Sequence, residues 1–216
     1  MRLLLLPVVC VLAAASAAFA QTDAERVVRN EAGLTVTANS HQVTLPVPAW
    51  MENTMPGDDV SAAVDVFRQI MPGGELVELI APDQDADSWT HKTSAFLMNH
   101  EAFPADMHIK LVVSAFQQNC IEDKLRFQVL QPAVEGGEPV ALLVCAQFNN
   151  GEEAGEVMAV TIVQSEAATA RIYVEWRGPA FDADESETWP VSSVADLRDT
   201  IARLSGGAAI TLPAAE

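Results

Sequence analysis

The chain has 216 residues, half of them hydrophobic, and it carries 30 acidic side chains against 12 basic ones. Its formal net charge of −18 argues against binding to nucleic acid or to anionic membrane surfaces, because both repel an acidic protein. The length suits one domain with a sizeable core, and no apolar run reaches the roughly 20 residues that a membrane-spanning helix needs. We therefore expect no membrane span.

The first 20 residues have the pattern of an export signal. Arg2 supplies a positive start, Leu3–Leu12 form an apolar run, and Ala18-Phe19-Ala20 is a small-x-small cleavage site. We predict a signal peptide over residues 1–20 and a single domain over residues 21–216. The mature protein is then expected to be soluble and exported, either periplasmic or secreted.

Removal of this signal leaves two cysteines, Cys120 and Cys145. Two cysteines in an oxidising compartment most often pair. A redox-active pair would more naturally be a Cys-x-x-Cys at the start of a helix, and the sequence has none. We predict a structural disulfide between Cys120 and Cys145.

The first elements of the mature chain are predicted to be a hairpin and a helix. Leu34–Ala38 and His41–Val47 alternate between polar and apolar residues around a short polar link, as the strands of a hairpin do. Asp58 or Asp59 is predicted to cap a helix that runs to about Ile70, because apolar residues follow at helical spacing. The Pro-Gly-Gly sequence that comes next is a helix-stop signal.

The middle of the chain is predicted to be two strands, a second helix and a further strand. Glu75–Ala81 and Ser88–Met98 have strand patterns and are separated by an acidic loop. Pro104 opens a helix that runs to about Asn119, with an apolar stripe on one side. Leu125–Val129 alternates again, as a strand does.

The stretch that follows is predicted to form the centre of the fold. Val140–Phe148, Glu156–Gln164 and Arg171–Arg177 are three strands joined by short links that are rich in turn formers, which indicates an antiparallel meander. Ser193 then caps a last helix with an apolar stripe, which Gly206 ends. About eight strands and three helices in mixed order predict an α+β fold with a central antiparallel sheet flanked by helices.

Several short motifs recur at set places along these predicted elements. They are Leu45-Pro46-Val47-Pro48, Asp87-Ser88-Trp89-Thr90, a helix ending in Cys120, Val144-Cys145, Gly155-Glu156 and Tyr173-Val174-Glu175-Trp176-Arg177. Their order along the chain resembles the PsbP-like superfamily. The resemblance implies an α-β-α sandwich that is used for protein binding and has no shared catalytic site.

Two acidic loops are candidates for a cation site: residues 83–87, and the cluster of Asp182, Asp184, Glu185 and Glu187. Asp83, Asp85 and Asp87 alternate as at the start of a calcium loop, where carboxylates converge on a hard cation. An EF-hand would continue with Gly and Glu at the positions of Ser88 and Ser94, so the EF-hand match fails. A looser calcium site and an acidic surface turn both remain open.

The candidate contact surface consists of aromatic and charged residues. Trp50 and Trp189 lie near prolines in loop-like segments and are suited to lining a groove for a partner. The polar face of the third meander strand is the other candidate: Arg171, Tyr173, Glu175 and Arg177. No motif for a catalytic nucleophile, zinc site or phosphate loop is present, so we expect no enzyme activity.

These observations predict an exported binding or accessory protein. It would be non-catalytic, bind another protein of the cell envelope and need no cofactor. The alternative is a protein that binds a divalent cation such as calcium, or a small ligand, through its acidic loops.

Overall fold

The computed structural model describes residues 27–85, 87–99, 103–130 and 137–211, so the predicted signal peptide lies outside the described part. Two antiparallel sheets and two helices account for most of these residues. The strands are β1 (Val28–Arg29), β2 (Leu34–Ala38), β3 (His41–Leu45), β4 (Asp65–Met71), β5 (Gly74–Ile80), β6 (His91–Asn99), β7 (Leu125–Leu130), β8 (Val140–Cys145), β9 (Ala154–Gln164), β10 (Ala168–Pro179) and β11 (Ala209–Thr211); the helices are α1 (Ala105–Asn119) and α2 (Val194–Gly207).

The small sheet has the strand order β1-β2-β3-β11, and the large sheet has the order β4-β5-β6-β10-β9-β8-β7. The predicted meander is confirmed, because β8, β9 and β10 lie side by side with antiparallel pairing. The predicted first hairpin is confirmed as β2 and β3, and both helices with predicted starts at Pro104 and Ser193 are present.

The main core lies between the two sheets. Because side chains alternate along a strand, one face of the large sheet is lined by small and branched apolar residues such as Ala95, Val140 and Ile172. The buried side chains of the small sheet, including Leu34 and Leu45, pack against them, and α2 contributes Leu197 and Leu204 to the same core. Burial of each Val, Leu or Ile side chain in this core stabilises the fold by about 1.5–3 kcal/mol relative to its exposure to water.

The opposite face of the large sheet is covered only in part. Helix α1 packs Ile109, Val112 and Phe116 onto β8 and β9, and the predicted Cys120–Cys145 disulfide, with Cα atoms 5.6 Å apart, ties its C-terminal end to the last residue of β8. The same face of β5, β6 and β10 extends beyond this helix. A cleft therefore forms between α1 and that part of the sheet.

The predicted fold class is wrong. The chain is mainly β, with two antiparallel sheets, and it is not an α+β central sheet flanked by helices or an α-β-α sandwich. The first hairpin belongs to a separate small sheet, which covers much of the face that a helix layer was expected to cover. Sheet-on-sheet packing buries an alternating apolar face as well as a helix does, so amphipathic patterns alone did not decide between them.

The helix predicted from Asp58 to about Ile70 is wrong for a related reason. Residues 65–71 form β4, which pairs along its whole length with β5. The Pro-Gly-Gly sequence, interpreted as a helix stop, instead forms the hairpin turn, in which Gly73 has a φ of +89°. A Pro-Gly turn and a helix end use the same residues, and only the pairing partner distinguishes them.

Candidate functional site

The cleft between α1 and the large sheet has a volume of about 520 Å³ and combines a charged floor with apolar walls. Its floor is formed by β5, β6, β9 and β10, and one wall by α1. Pockets of this size and mixed character are the usual form of ligand sites in proteins. We therefore consider this cleft the candidate functional site.

The polar face of β10 forms the middle of the floor. Arg171, Tyr173, Glu175 and Arg177, predicted from alternation to share one face, all line the cleft. The strand register places β10 between two neighbours whose side chains complete the floor: Lys92, Ser94 and Phe96 on β6 lie opposite Glu175, Tyr173 and Arg171, and Glu156 on β9 lies opposite Arg177.

Three carboxyl groups and one amine meet at the inner end of the floor. The Lys92 Nζ atom lies 2.7 Å from Glu78 Oε1 and 3.5 Å from Glu175 Oε2. The Ser94 hydroxyl donates a hydrogen bond to Glu175 Oε2 over 3.2 Å. Burial opposes the charge on Lys92, but the carboxylates of Glu175 and Glu78 outweigh it and raise the pKa of Lys92, which stays protonated.

The third carboxyl group, on Glu156, has no cation of its own. Burial raises the pKa of Glu156 well above its usual value, and the charge of Glu175 raises it further. Burial also raises the pKa of Glu175, while the charge of Lys92 acts against that shift. The two side chains hydrogen-bond to each other. A single proton on this pair is therefore favoured, because two adjacent buried carboxylates cannot both be ionised at low cost.

The floor also carries two arginines that lie against aromatic rings, one on either side of Tyr173 and Glu175 along β10. Arg177 Nη2 pairs with Glu152 over 2.6 Å, and its guanidinium lies 5.2 Å from the ring centre of Phe148. Arg171 lies 5.6 Å from the ring centre of Phe96 and 3.2 Å from Nδ1 of the buried His108 on α1. Both charges are thus already engaged by the protein.

The wall of the cleft formed by α1 continues into an exposed apolar stripe. Leu111 lines the cleft with 48% of its surface exposed, and Ala115 lines it one turn further on. Phe103 and Met107 precede them at the same four-residue spacing and are 52% and 40% exposed. Side chains four apart lie on one side of a helix, so Met107, Leu111 and Ala115 form an α1 stripe that leads into the cleft. Phe103 lies two residues before the helix begins, with its ring 6.4 Å from that of His108. On β4, Met71 lines the cleft and is also exposed.

The two tryptophans proposed from sequence as a contact surface do not line this cleft. The ring of Trp50 packs edge-on against His91, with ring centres 4.9 Å apart, and Trp189 donates its indole N–H to the Asp182 carbonyl over 3.2 Å. Both pack against the core between the sheets. The structure therefore brings together the β10 residues of the predicted surface but not the tryptophans.

The acidic loop at Asp83, Asp85 and Asp87 is arranged as a turn. One oxygen of Asp85 accepts backbone hydrogen bonds from Asp87 and Ser88 over 2.9 and 2.8 Å, and these bonds lower the pKa of Asp85. Among the residues that the structure describes, no three His, Cys, Asp or Glu side chains are grouped to hold a metal ion. Hydrogen bonds from backbone amides within the loop therefore explain the position of the Asp85 carboxylate.

Sequence reasoning missed Glu78, Lys92 and Glu156 as site residues. Each is one charged position within an alternating strand, and such a residue usually faces solvent. Alternation did place Lys92, Ser94 and Phe96 on one face of their strand. The strand register sets this face beside Glu175, and Ser94 and Glu175 are 81 positions apart in the sequence. Local sequence patterns carry no information about pairing over such a distance.

No protein-family model matches the chain, and no curated protein sequence is significantly similar to it. Within the described ranges, neither helix has the length and apolar character required to cross a membrane. What the protein binds must therefore be inferred from the chemistry of the cleft.

Proposed function

We propose that this chain is an exported, non-catalytic binding protein that assists a partner in the cell envelope by holding an apolar segment of that partner in the cleft. The observation that carries the proposal is the α1 stripe. It presents two large exposed apolar side chains, Met107 and Leu111, with the exposed Phe103 just before the helix, and it ends inside a cleft of about 520 Å³. Exposed apolar surface that continues into a pocket is typical of interaction sites.

The shape of this surface favours a polypeptide over a small molecule. The cleft alone would hold a few side chains, but the stripe extends one helical turn beyond Leu111 to Met107, and the exposed Phe103 lies just before the helix. A segment lying along the stripe would bury these residues and place its end in the cleft. The exposed Met71 on the opposite rim would then contact the segment from the other side.

The disulfide supports the location in the proposal. Cys120 and Cys145 are both buried and paired, and disulfides form and persist in oxidising compartments. Together with the export pattern of residues 1–20, this supports a periplasmic or secreted protein.

The proposal is tested by filling the cleft. Ala115 is exposed and lines the cleft, so Ala115→Trp should occupy the site without disturbing the core. The matched control is Gln117→Trp, an exposed position of the same helix that does not line the cleft. Both variants and the wild type would be titrated with labelled peptides that bind the wild type, selected from an array of envelope-protein segments.

We expect peptides to bind the wild type and Gln117→Trp alike and to bind Ala115→Trp at least about tenfold more weakly, since a filled pocket removes the central contacts. Equal binding to all three proteins would show that the cleft is not the binding site. Unchanged melting temperatures of the two variants would show that both are folded.

A further inference from the structure

The charges at the inner end of the cleft are not balanced. Three acids, Glu78, Glu156 and Glu175, surround the single amine of Lys92. The nearest other cation, Arg177, is paired with Glu152 outside this group. A proton shared between Glu156 and Glu175 keeps the group stable in the empty cleft.

Glu156 is the member of this group to which a cation of the ligand would bind. All three acids line the cleft, but Glu78 and Glu175 are paired with Lys92, and the two cations that act on Glu156 already have carboxylate partners. A buried acid without a cation of its own is costly when ionised, and this cost disappears when a ligand brings the cation.

From this arrangement we propose that the segment held in the cleft carries a lysine whose ammonium group binds beside Glu156. The inference rests on the proposed function and names the chemistry that its site recognises. The four methylenes of the lysine would lie between the apolar walls, against side chains such as Phe116 and Met158. The ammonium would then reach Glu156, the acid of the floor for which the described residues supply no ion-pair partner.

Because burial raises the pKa of Glu156, its carboxyl group favours the protonated form in the empty cleft, and binding of the ammonium reverses this in a step that balances in proton and charge. Glu156 loses one proton to solvent and becomes a carboxylate, and the incoming ammonium supplies the positive charge that compensates it. The other charged groups facing Glu156 are Glu175, Arg177 and Lys92, with Glu78 behind Lys92. Lys92 keeps its proton, because the neighbouring acids raise its pKa. One proton should therefore be released for each peptide bound.

The test uses two matched peptides, blocked at both ends, with one lysine or one norleucine between leucines. Binding to the wild type, Glu156→Gln and Glu153→Gln is measured by calorimetry in two buffers of different ionisation enthalpy. Glu153 is an exposed acid outside the cleft, so its variant makes the same Glu-to-Gln substitution without altering the candidate site. Octylamine and octanol form a second matched pair that lacks the peptide backbone.

We expect the lysine peptide to bind the wild type and Glu153→Gln roughly tenfold to a hundredfold more tightly than the norleucine peptide, which is what a hydrogen bond to a charged group contributes. Binding should release a proton, and affinity should rise with pH by up to about tenfold per unit while Glu156 retains its proton. Glu156→Gln should lose the preference for lysine, the proton release and the pH dependence together.

Three outcomes would overturn the inference. Equal affinity for both peptides, with Ala115→Trp weakening both, would refute the lysine while leaving the cleft as the binding site. Binding of octylamine without the lysine peptide would show that a free amine is the ligand. Failure of every probe to bind the wild type would refute the inference, and the peptide array would then decide on the proposed function separately.

Discussion

Loss of the Cys120–Cys145 disulfide should lower the free energy of unfolding by about 3.5 kcal/mol. The two cysteines are 25 positions apart, and closing a loop of this length in the unfolded chain removes that much conformational freedom at 25 °C on the chain-entropy model. The bond also joins the end of α1 to β8, so its loss should loosen the helix that forms one wall of the cleft. We therefore expect weaker peptide binding as well as lower stability.

The measurement is urea unfolding of the wild type with and without reductant, alongside the double variant Cys120→Ala, Cys145→Ala. Reduction leaves both side chains in place, so it isolates the effect of the cross-link from the packing loss that the alanines add. Both sulfurs are buried, and the double variant should thus be the less stable of the two. A reductant that leaves the unfolding free energy within about 1 kcal/mol of its original value would refute the reasoning, as would two free thiols in the unreduced, denatured protein.

Two further predictions concern stability and pH. The raised pKa of Glu156 means that the folded state holds its proton more tightly than the unfolded state, so the wild type should lose stability as pH rises above about 4.5, by at most about 1.4 kcal/mol per unit. Glu156→Gln lacks this loss, and its advantage in melting temperature should grow with pH; a constant difference would contradict the assignment. His91, half-buried between the rings of Trp50 and Trp176, behaves oppositely: burial and then the charge of Arg203 lower its pKa from 6.5 to about 4. The contribution of neutral His91 to stability is present above about pH 6.5 and is lost on acidification, by about 2 kcal/mol at pH 5. We therefore expect His91→Phe to reduce the loss of unfolding free energy between pH 6.5 and pH 5. An unchanged loss over this pH range would refute the assignment.

Predictions that depend on neighbours along the chain were the ones confirmed. The meander, α1 and α2 each have a hydrophobic period and end signals that need no distant partner, and Ser193 accepts the capping hydrogen bond from the Asp196 amide as expected. The disulfide was also predictable, because only two cysteines remain after the predicted signal.

The fold class and half of the site were not predictable in this way. Val64, Phe67 and Met71 have helical spacing, yet they lie in or next to the edge strand β4, because pairing with β5 outweighed a weak local preference. The β10 face was identified from alternation, but the neighbours that give it a function, Lys92 and Glu156, required the strand order.

The sequence by itself determined which residues share a face of each strand, where α1 and α2 begin, and which cysteines can pair, because these depend on periods and caps within short stretches. Only the tertiary structure decided that a second sheet covers one face, that α1 leaves part of the other face open, and that three acids meet one amine in that opening. The physical reason is that register and sheet packing are set by the burial of whole faces against distant partners, and no local pattern specifies the partner.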